Sequence, residues 1–179
     1  MQRLVPARCA VVVVDVQHKL AAAMPAVQMS ELLRAATVML GRASCWGAAI
    51  YTEQYPAAWA DGCPGGAARR GGSAGGEGRL RRATSVSRAL AATSAKTAIV
   101  LGMETHVCVF QTVREMRARG LEVHVPVDGV ASRRDDHRAA GLALCREAGA
   151  TLTTMETVVF DWLRRAGSSE FKALSKLIR

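Results

Sequence analysis

Two side chains in this sequence have the type and surroundings for covalent chemistry. Cys108 lies three residues after Thr105, where a helical pattern opens that runs to about Arg119. A thiol in the first turn of a helix sits among unpaired N–H groups at the positive end of the helix dipole, which favours the thiolate. The same N–H groups suit a developing oxyanion. Asp15 directly follows the run Ala10-Val11-Val12-Val13-Val14, with Gln17 two residues further on. A carboxylate beside a thiol can take its proton, so the pair would make an activated nucleophile. Each residue alone also has a plainer reading. Cys9, Cys45 and Cys145 read as buried structural cysteines, a role equally open to Cys108, and an Asp after a strand often serves a turn or a cap.

The elements that must position this pair follow from the apolar pattern. Residues 10–14 are a continuous β-branched run without polar alternation, as in a strand covered on both faces. Ala48–Thr52, Ala98–Leu101, Leu121–Val127 and Ala150–Thr153 read as four further strands. Leu32, Leu33, Ala36, Val38, Met39 and Leu40 form a helical stripe over about Ser30 to Trp46, with Ser30 as N-cap and Gly47 as stop. Helices are also expected over about Thr105–Arg119, ending at Gly120, and Arg133–Ala148, ending at Gly149. Two shorter ones are expected over Thr157–Arg165 and Ser168–Ile178. Strands alternating with helices of this length predict βαβ units and a mostly parallel sheet. In such a sheet, ligands bind beyond the carboxyl ends of the strands. That rule selects Asp15 and Gln17 after the first strand, Glu53, Gln54 and Tyr55 after the second, and Met103, Glu104, Thr105 and Cys108 after the strand at Ile99.

Composition bounds the function classes. The chain has 179 residues, 50% of them hydrophobic and 22% charged, which is a globular composition. A single domain over 1–179 is expected. No apolar run approaches the ~18 residues of a membrane span, so no membrane partner is expected. Five cysteines without a Cys-x-x-Cys pair argue against a zinc framework or a disulfide scaffold. Because the first strand begins near Cys9, no cleavable leader is expected ahead of it, and a cytoplasmic, reducing setting is the default. The basic start Met-Gln-Arg-Leu-Val-Pro-Ala-Arg keeps a mitochondrial setting open. After the first strand there is no glycine fingerprint for a dinucleotide, and no phosphate-binding Gly-x-x-x-x-Gly-Lys occurs anywhere. The net charge of +9 is uneven: residues 69–88 hold six arginines against the single acid Glu77, next to a stretch with eight glycines between Gly62 and Gly78. The segment at about 61–82 reads as a Gly/Arg-rich loop.

Val11-Val12-Val13-Val14-Asp15-Val16-Gln17, Tyr51-Thr52-Glu53-Gln54-Tyr55-Pro56 and Gly102-Met103-Glu104-Thr105-His106-Val107-Cys108-Val109-Phe110-Gln111-Thr112 resemble segments of the isochorismatase-like cysteine hydrolase superfamily. The likeness continues through Val127-Asp128-Gly129-Val130-Ala131-Ser132-Arg133, and the stretch Glu170–Ile178 looks like the isochorismatase domain-containing subgroup. It extends over nearly the whole chain except residues 57–80. The resemblance implies a three-layer α/β/α sandwich, Rossmann-like with a mostly parallel sheet, and a catalytic triad of Asp, Lys and Cys. By position, Asp15 would be the base and Cys108 the nucleophile. A non-proline cis peptide would fall at Met103–Glu104, with the backbone N–H groups of Glu104 and Cys108 as the oxyanion hole. Gln17, Gln54 and Thr105 would line the substrate.

The third triad position departs from the family. The best match to its lysine segment is Arg81-Arg82-Ala83-Thr84-Ser85-Val86, which puts Arg81 at the lysine, or Arg82 if the register slips by one, and Thr84 where an aromatic belongs. An arginine keeps the positive charge that favours a thiolate but does not give up a proton. Two outcomes stay open: a hydrolase of small amide-like or vinyl-ether-like substrates, or a pseudoenzyme of the same fold. Some relatives, the nicotinamidases, hold a metal with an Asp and histidines near the second strand. Here His18, His106, His124 and His137 do not gather there in sequence, so no metal and no other cofactor is expected. His106 reads as a pocket-lining or capping residue and His124 as core. A reading from another class is a nucleic-acid-binding module using the arginine-rich loop. Few aromatics, three Trp, two Tyr and three Phe, weigh against it. The family resemblance also suggests a homo-oligomer, a dimer or tetramer, with Phe160, Trp162, Leu163, Phe171 and Leu174 available for its interface.

Overall fold

An alanine and four valines in a row, Ala10–Val14, have no amphipathic choice but burial on both sides, and the structure buries them. The computed structural model describes residues 3–43, 49–53, 90, 94–163, 167 and 171–172. Strand β1 (Cys9–Val14) is buried at every position. It pairs in parallel with β2 (Ala49–Glu53) on one side and β3 (Thr97–Met103) on the other. β4 (Glu122–Pro126) follows β3, and β6 (Thr151–Thr153) closes that edge, giving the order β2-β1-β3-β4-β6 with every pair parallel. A two-residue strand, β5 (Val130–Ala131), pairs with the end of β3 at Gly102 and Met103. The expected parallel α/β sheet is therefore present.

Alternate residues of the strands serve two cores. On one face Val11, Val13, Ile99, Leu101 and Met103 meet Leu32, Ala35 and Met39 of helix α2 (Ala26–Ala43), together with Val158, Val159 and Trp162 of helix α5 (Met155–Leu163). On the other, Ala10, Val12, Val14, Ala98 and Val100 meet Val113 and Met116 of α3 (Phe110–Ala118) and Cys145 of α4 (Asp135–Glu147). Each fully buried valine contributes ~1.5–3 kcal/mol over an exposed one, so β1 alone, covered on both faces, anchors the three layers. A short helix α1 (His18–Ala21), not anticipated from the sequence, turns the chain after β1.

Two sequence expectations are corrected. Ser30 does not cap α2: the helix begins at Ala26, and the Pro25 carbonyl accepts from the Met29 N–H at 3.0 Å. Proline is favoured at a helix start because its missing N–H has no partner to lose there, and it outweighs the serine signal five residues on. Trp162 is no interface residue: at 4% exposure it packs in the core, with Leu163 against the same cluster. Phe160 is partly exposed, its ring centroid 5.7 Å from that of Phe171. Cys45, Gly47, Gln54, the 61–82 segment with Arg81 and Arg82, Thr84 and Leu174 lie outside the described residues.

Candidate active site

The register of β1 and β3 builds the site. Val14 is opposite Gly102, so Asp15 leaves β1 at the level where β3 ends and the chain turns into Met103–Glu104. The approach of the two strands is close. A Cβ on Gly102, which has φ of +132°, would lie 2.0 Å from the Val14 carbonyl oxygen, so only glycine fits. The Met103–Glu104 peptide is cis, as the family resemblance implies. Asp15 has φ of +53° and is 5% exposed, a left-handed residue at the end of a buried strand. Asp tolerates that region better than most residues, and such outliers gather at functional sites.

After Glu104 the chain makes one π-helical turn, Thr105–Val109, before α3. The Glu104 carbonyl accepts from both the Val107 and Val109 N–H groups at 3.1 Å. Cys108 sits in this wide turn, half-buried. The Sγ of Cys108 donates to Oδ2 of Asp15 at 3.4 Å across 93 residues of sequence. The other oxygen of Asp15, Oδ1, accepts from the Gln17 side-chain amide. The structure thus brings together Asp15, Gln17 and Cys108, with Gln17 fixing the carboxylate. A π turn in place of the expected first α turn widens the spacing at Cys108, and such turns are frequent at functional sites.

Thr105 is placed differently from expectation. It is fully buried, its hydroxyl donates to the Ala131 carbonyl at 3.0 Å, and its N–H donates to Ser132 Oγ at 3.1 Å. Its polar groups therefore tie the turn to β5 and are not presented to a substrate. The other cysteines described, Cys9 and Cys145, are buried, and burial pushes both thiols up to about 11. His124 is core, as expected, and burial lowers its pKa.

A polar cluster that the sequence did not reveal surrounds Glu104. Its carboxylate is 4% exposed, with Oε1 accepting from Arg133 Nε. His106 Nδ1 lies 3.4 Å from Oε2 and 3.3 Å from Ser132 Oγ, and the His106 and His137 ring centroids are 4.5 Å apart. Burial lowers the pKa of His106, against the pull of Glu104. Behind this cluster, Gln28 bridges elements: its amide nitrogen donates to Asp135 at 2.6 Å, and its oxygen accepts from the Ser132 N–H at 3.0 Å. Gln28 lies one turn before Leu32 on the face of α2 that buries Leu32, Ala35 and Met39, while Glu104 and His106 come from the turn after β3, Ser132 and Arg133 from the loop after β5, and His137 from the start of α4. The available hints were two family-like segments, Gly102–Thr112 with Glu104 and His106, and Val127–Arg133 with Ser132 and Arg133.

A parallel three-layer α/β domain with a thiol facing a carboxylate at the carboxyl ends of its strands is what the fold and the site define together. Comparison with known proteins is specific for part of the chain. Residues 80–157 match the isochorismatase domain. Over 84 residues the chain is 40% identical to a secreted isochorismatase effector, Isc1, of Phytophthora sojae, covering 47% of this chain and 40% of that protein. The chain thus matches about two fifths of the length of that relative. In fold it is similar to a MAR1 ribonuclease from Caenorhabditis elegans, with a TM-score of 0.63 and 24% identity over 99% of this chain and 92% of that one. It is also similar to the YcaC gene product of Escherichia coli, an octameric hydrolase of unknown specificity, with a TM-score of 0.71 and 18% identity over 99% and 90% of the two chains. The chain is thus similar in sequence to the isochorismatase domain over residues 80–157, and similar in fold to these solved structures over nearly all its length.

Proposed function

We propose that this protein is a cysteine hydrolase of the isochorismatase-like type, acting on a small amide-like or vinyl-ether-like substrate. The observation that carries the reading is the 3.4 Å contact from Cys108 Sγ to Asp15 Oδ2, made between the residue that follows β1 and the π turn that follows its parallel neighbour β3. Asp15 takes the thiol proton as Sγ attacks the substrate carbonyl carbon. The resulting oxyanion is met by the backbone N–H groups of Glu104 and Cys108. For an amide, collapse expels the amine with the proton from Asp15 and leaves a thioester. Water, giving a proton to Asp15, then releases the acid and restores the thiol. Gln17 holds the base in place, Gln54 lines the substrate, and Arg81 supplies the positive charge that favours the thiolate. No step passes through a metal. A reducing, cytoplasmic setting suits a free thiol, and assembly into a homo-oligomer is part of the same reading, supported by the octameric state of the similar Escherichia coli protein.

The test is the pH dependence of alkylation at each cysteine, read by mass spectrometry, for the native chain and for the Asp15→Asn and Arg81→Lys proteins. An unperturbed thiol titrates near 8.5. Cys108 is expected to react as a thiolate well below that, and to lose the shift with Asp15→Asn. A normal titration at an accessible Cys108 would point to the pseudoenzyme. On any substrate found, Cys108→Ala is expected to cut turnover by at least about 10³-fold, and full retained activity would sink the mechanism. Arg81→Lys should preserve or raise it.

A second reading is favoured by one comparison, the fold shared with a MAR1 ribonuclease, together with the arginine-rich segment 69–88. In it the chain binds RNA through phosphate contacts. Filter binding of single-stranded RNA from 50 to 200 mM salt would then show a steep loss of affinity, whereas flat, weak binding removes this reading.

A further inference from the structure

The cluster at Glu104 is a site separate from the thiol. Its carboxylate is nine-tenths buried and more. One oxygen is held by Arg133, while Oε2 is buried with no hydrogen-bond partner among the described residues. A buried carboxylate oxygen left without a donor is costly, and each such atom in a folded protein calls for an explanation. Two imidazoles face it. Glu104, His106 and His137 each offer one ligand atom, and the three atoms lie within 4.8 Å of one another.

We propose that Glu104, His106 and His137 bind a divalent cation of the zinc class. Two imidazole nitrogens and one carboxylate oxygen are a borderline donor set, suited to Zn²⁺, Co²⁺ or Ni²⁺ rather than to Mg²⁺ or Ca²⁺. Bonds of ~2.0–2.2 Å place tetrahedral donors about 3.3–3.5 Å apart. The 3.4 Å between Glu104 Oε2 and His106 Nδ1 already meets that spacing. His137, partly exposed at the first turn of α4, closes the remaining gap by a side-chain adjustment. A water takes the fourth position on the open side.

The fold brings these donors together by a specific device. A Cβ on Gly141 would lie 2.5 Å from the His106 backbone nitrogen, so α4 reaches the π turn only because residue 141 has no side chain. One helical turn before Gly141 stands His137, which is thereby carried over His106. Arg133 opposes a cation by its charge, but its side chain is 57% exposed and its hydrogen bond is to the other oxygen. Water screens its repulsion while Oε2 stays available. The bound ion would brace the turn that carries Cys108 against α4. The inference does not depend on the hydrolase reading, because it uses the side chains of Glu104, His106 and His137, none of which takes a part in the proposed reaction.

The test uses the full chain, stripped with a chelator and titrated with Co²⁺ at constant pH, following the visible absorption of the ion, with Zn²⁺ as competitor. One equivalent is expected to bind with the intensity of a four-coordinate nitrogen and oxygen site and no thiolate-to-cobalt charge-transfer band, and to be displaced by Zn²⁺. Losing a supporting residue of a metal site already costs 10–100-fold in affinity, so His137→Ala, and independently His106→Gln, should each weaken binding by at least about tenfold. The His137→Ala protein should keep the native circular dichroism spectrum, since that side chain is partly exposed. Absence of saturable binding, native affinity in either histidine variant, or a charge-transfer band that Cys108→Ala removes would each overturn the proposal.

Discussion

At the scale of single residues, the cysteines differ by what surrounds them. Cys9 and Cys145 are buried among apolar side chains, and desolvation of the charged form pushes both to about 11. Cys108 stands at the carboxyl ends of the strands, half-buried and donating to a carboxylate. At pH 8 a brief exposure to iodoacetamide should therefore label Cys108 well ahead of Cys9 and Cys145, as counted by peptide mass spectrometry. Equal labelling of all three would mean that burial does not separate them. The residue types were legible in the sequence: Asp15 and Cys108 stood out by their places after a strand and at a helix start. What no pattern showed was the positive φ of Asp15 or the hydrogen bond from Gln17, since both depend on where β1 ends against β3.

At the scale of elements, the site rests on two close approaches that glycine permits. Alanine normally stabilises a helix interior by about 1 kcal/mol over glycine. At Gly141 the sign should reverse, because the new Cβ would sit 2.5 Å from the His106 backbone and must push α4 off the π turn. Gly102→Ala should cost more, about 3 kcal/mol or above, since its Cβ would lie 2.0 Å from a strand carbonyl and its φ of +132° suits glycine. Urea denaturation of both variants checks the order, and a Gly141→Ala protein more stable than the native one would refute this account of the packing. Asp128 and Asp161 work at the same scale. Asp128 accepts the Met155 N–H at 2.8 Å at the start of α5, and Asp161 accepts the Leu4 N–H at 2.6 Å, so each joins segments distant in sequence.

At the scale of the whole molecule, pH enters through His124. This imidazole is buried on β4, and desolvation holds its pKa below the ordinary 6.5, with Glu122 and Asp161 pulling the other way. Below pH 6.5 the unfolded chain takes up a proton that the folded chain refuses, so the stability associated with His124 is complete above 6.5 and is lost as pH falls towards the lowered folded value. His106 contributes with the same sign. The free energy of unfolding should thus decline on acidification from pH 6.5, and His124→Leu should remove up to about 1.4 kcal/mol per pH unit of that slope. An unchanged slope in the variant would show that His124 titrates alike in both states. No helix among the described residues is long and apolar enough to cross a membrane.

The sequence by itself determined the alternation of strands and helices, the parallel sheet buried on both faces, and the pair Asp15 and Cys108. These follow from local properties: β-branched runs, helical stripes, glycine stops and the rule that parallel strands present their carboxyl ends to ligands. It misjudged the start of α2, where Pro25 outweighs Ser30, and it did not reveal the bracing role of Gln28. Tertiary structure alone decided that Sγ and carboxylate lie 3.4 Å apart, that Thr105 turns inward, and that Glu104 gathers two histidines from positions 31 residues apart in the chain. Those outcomes depend on strand register and on how closely α4 approaches the turn after β3. Both are set by van der Waals contact between segments far apart in sequence, which no local periodicity encodes.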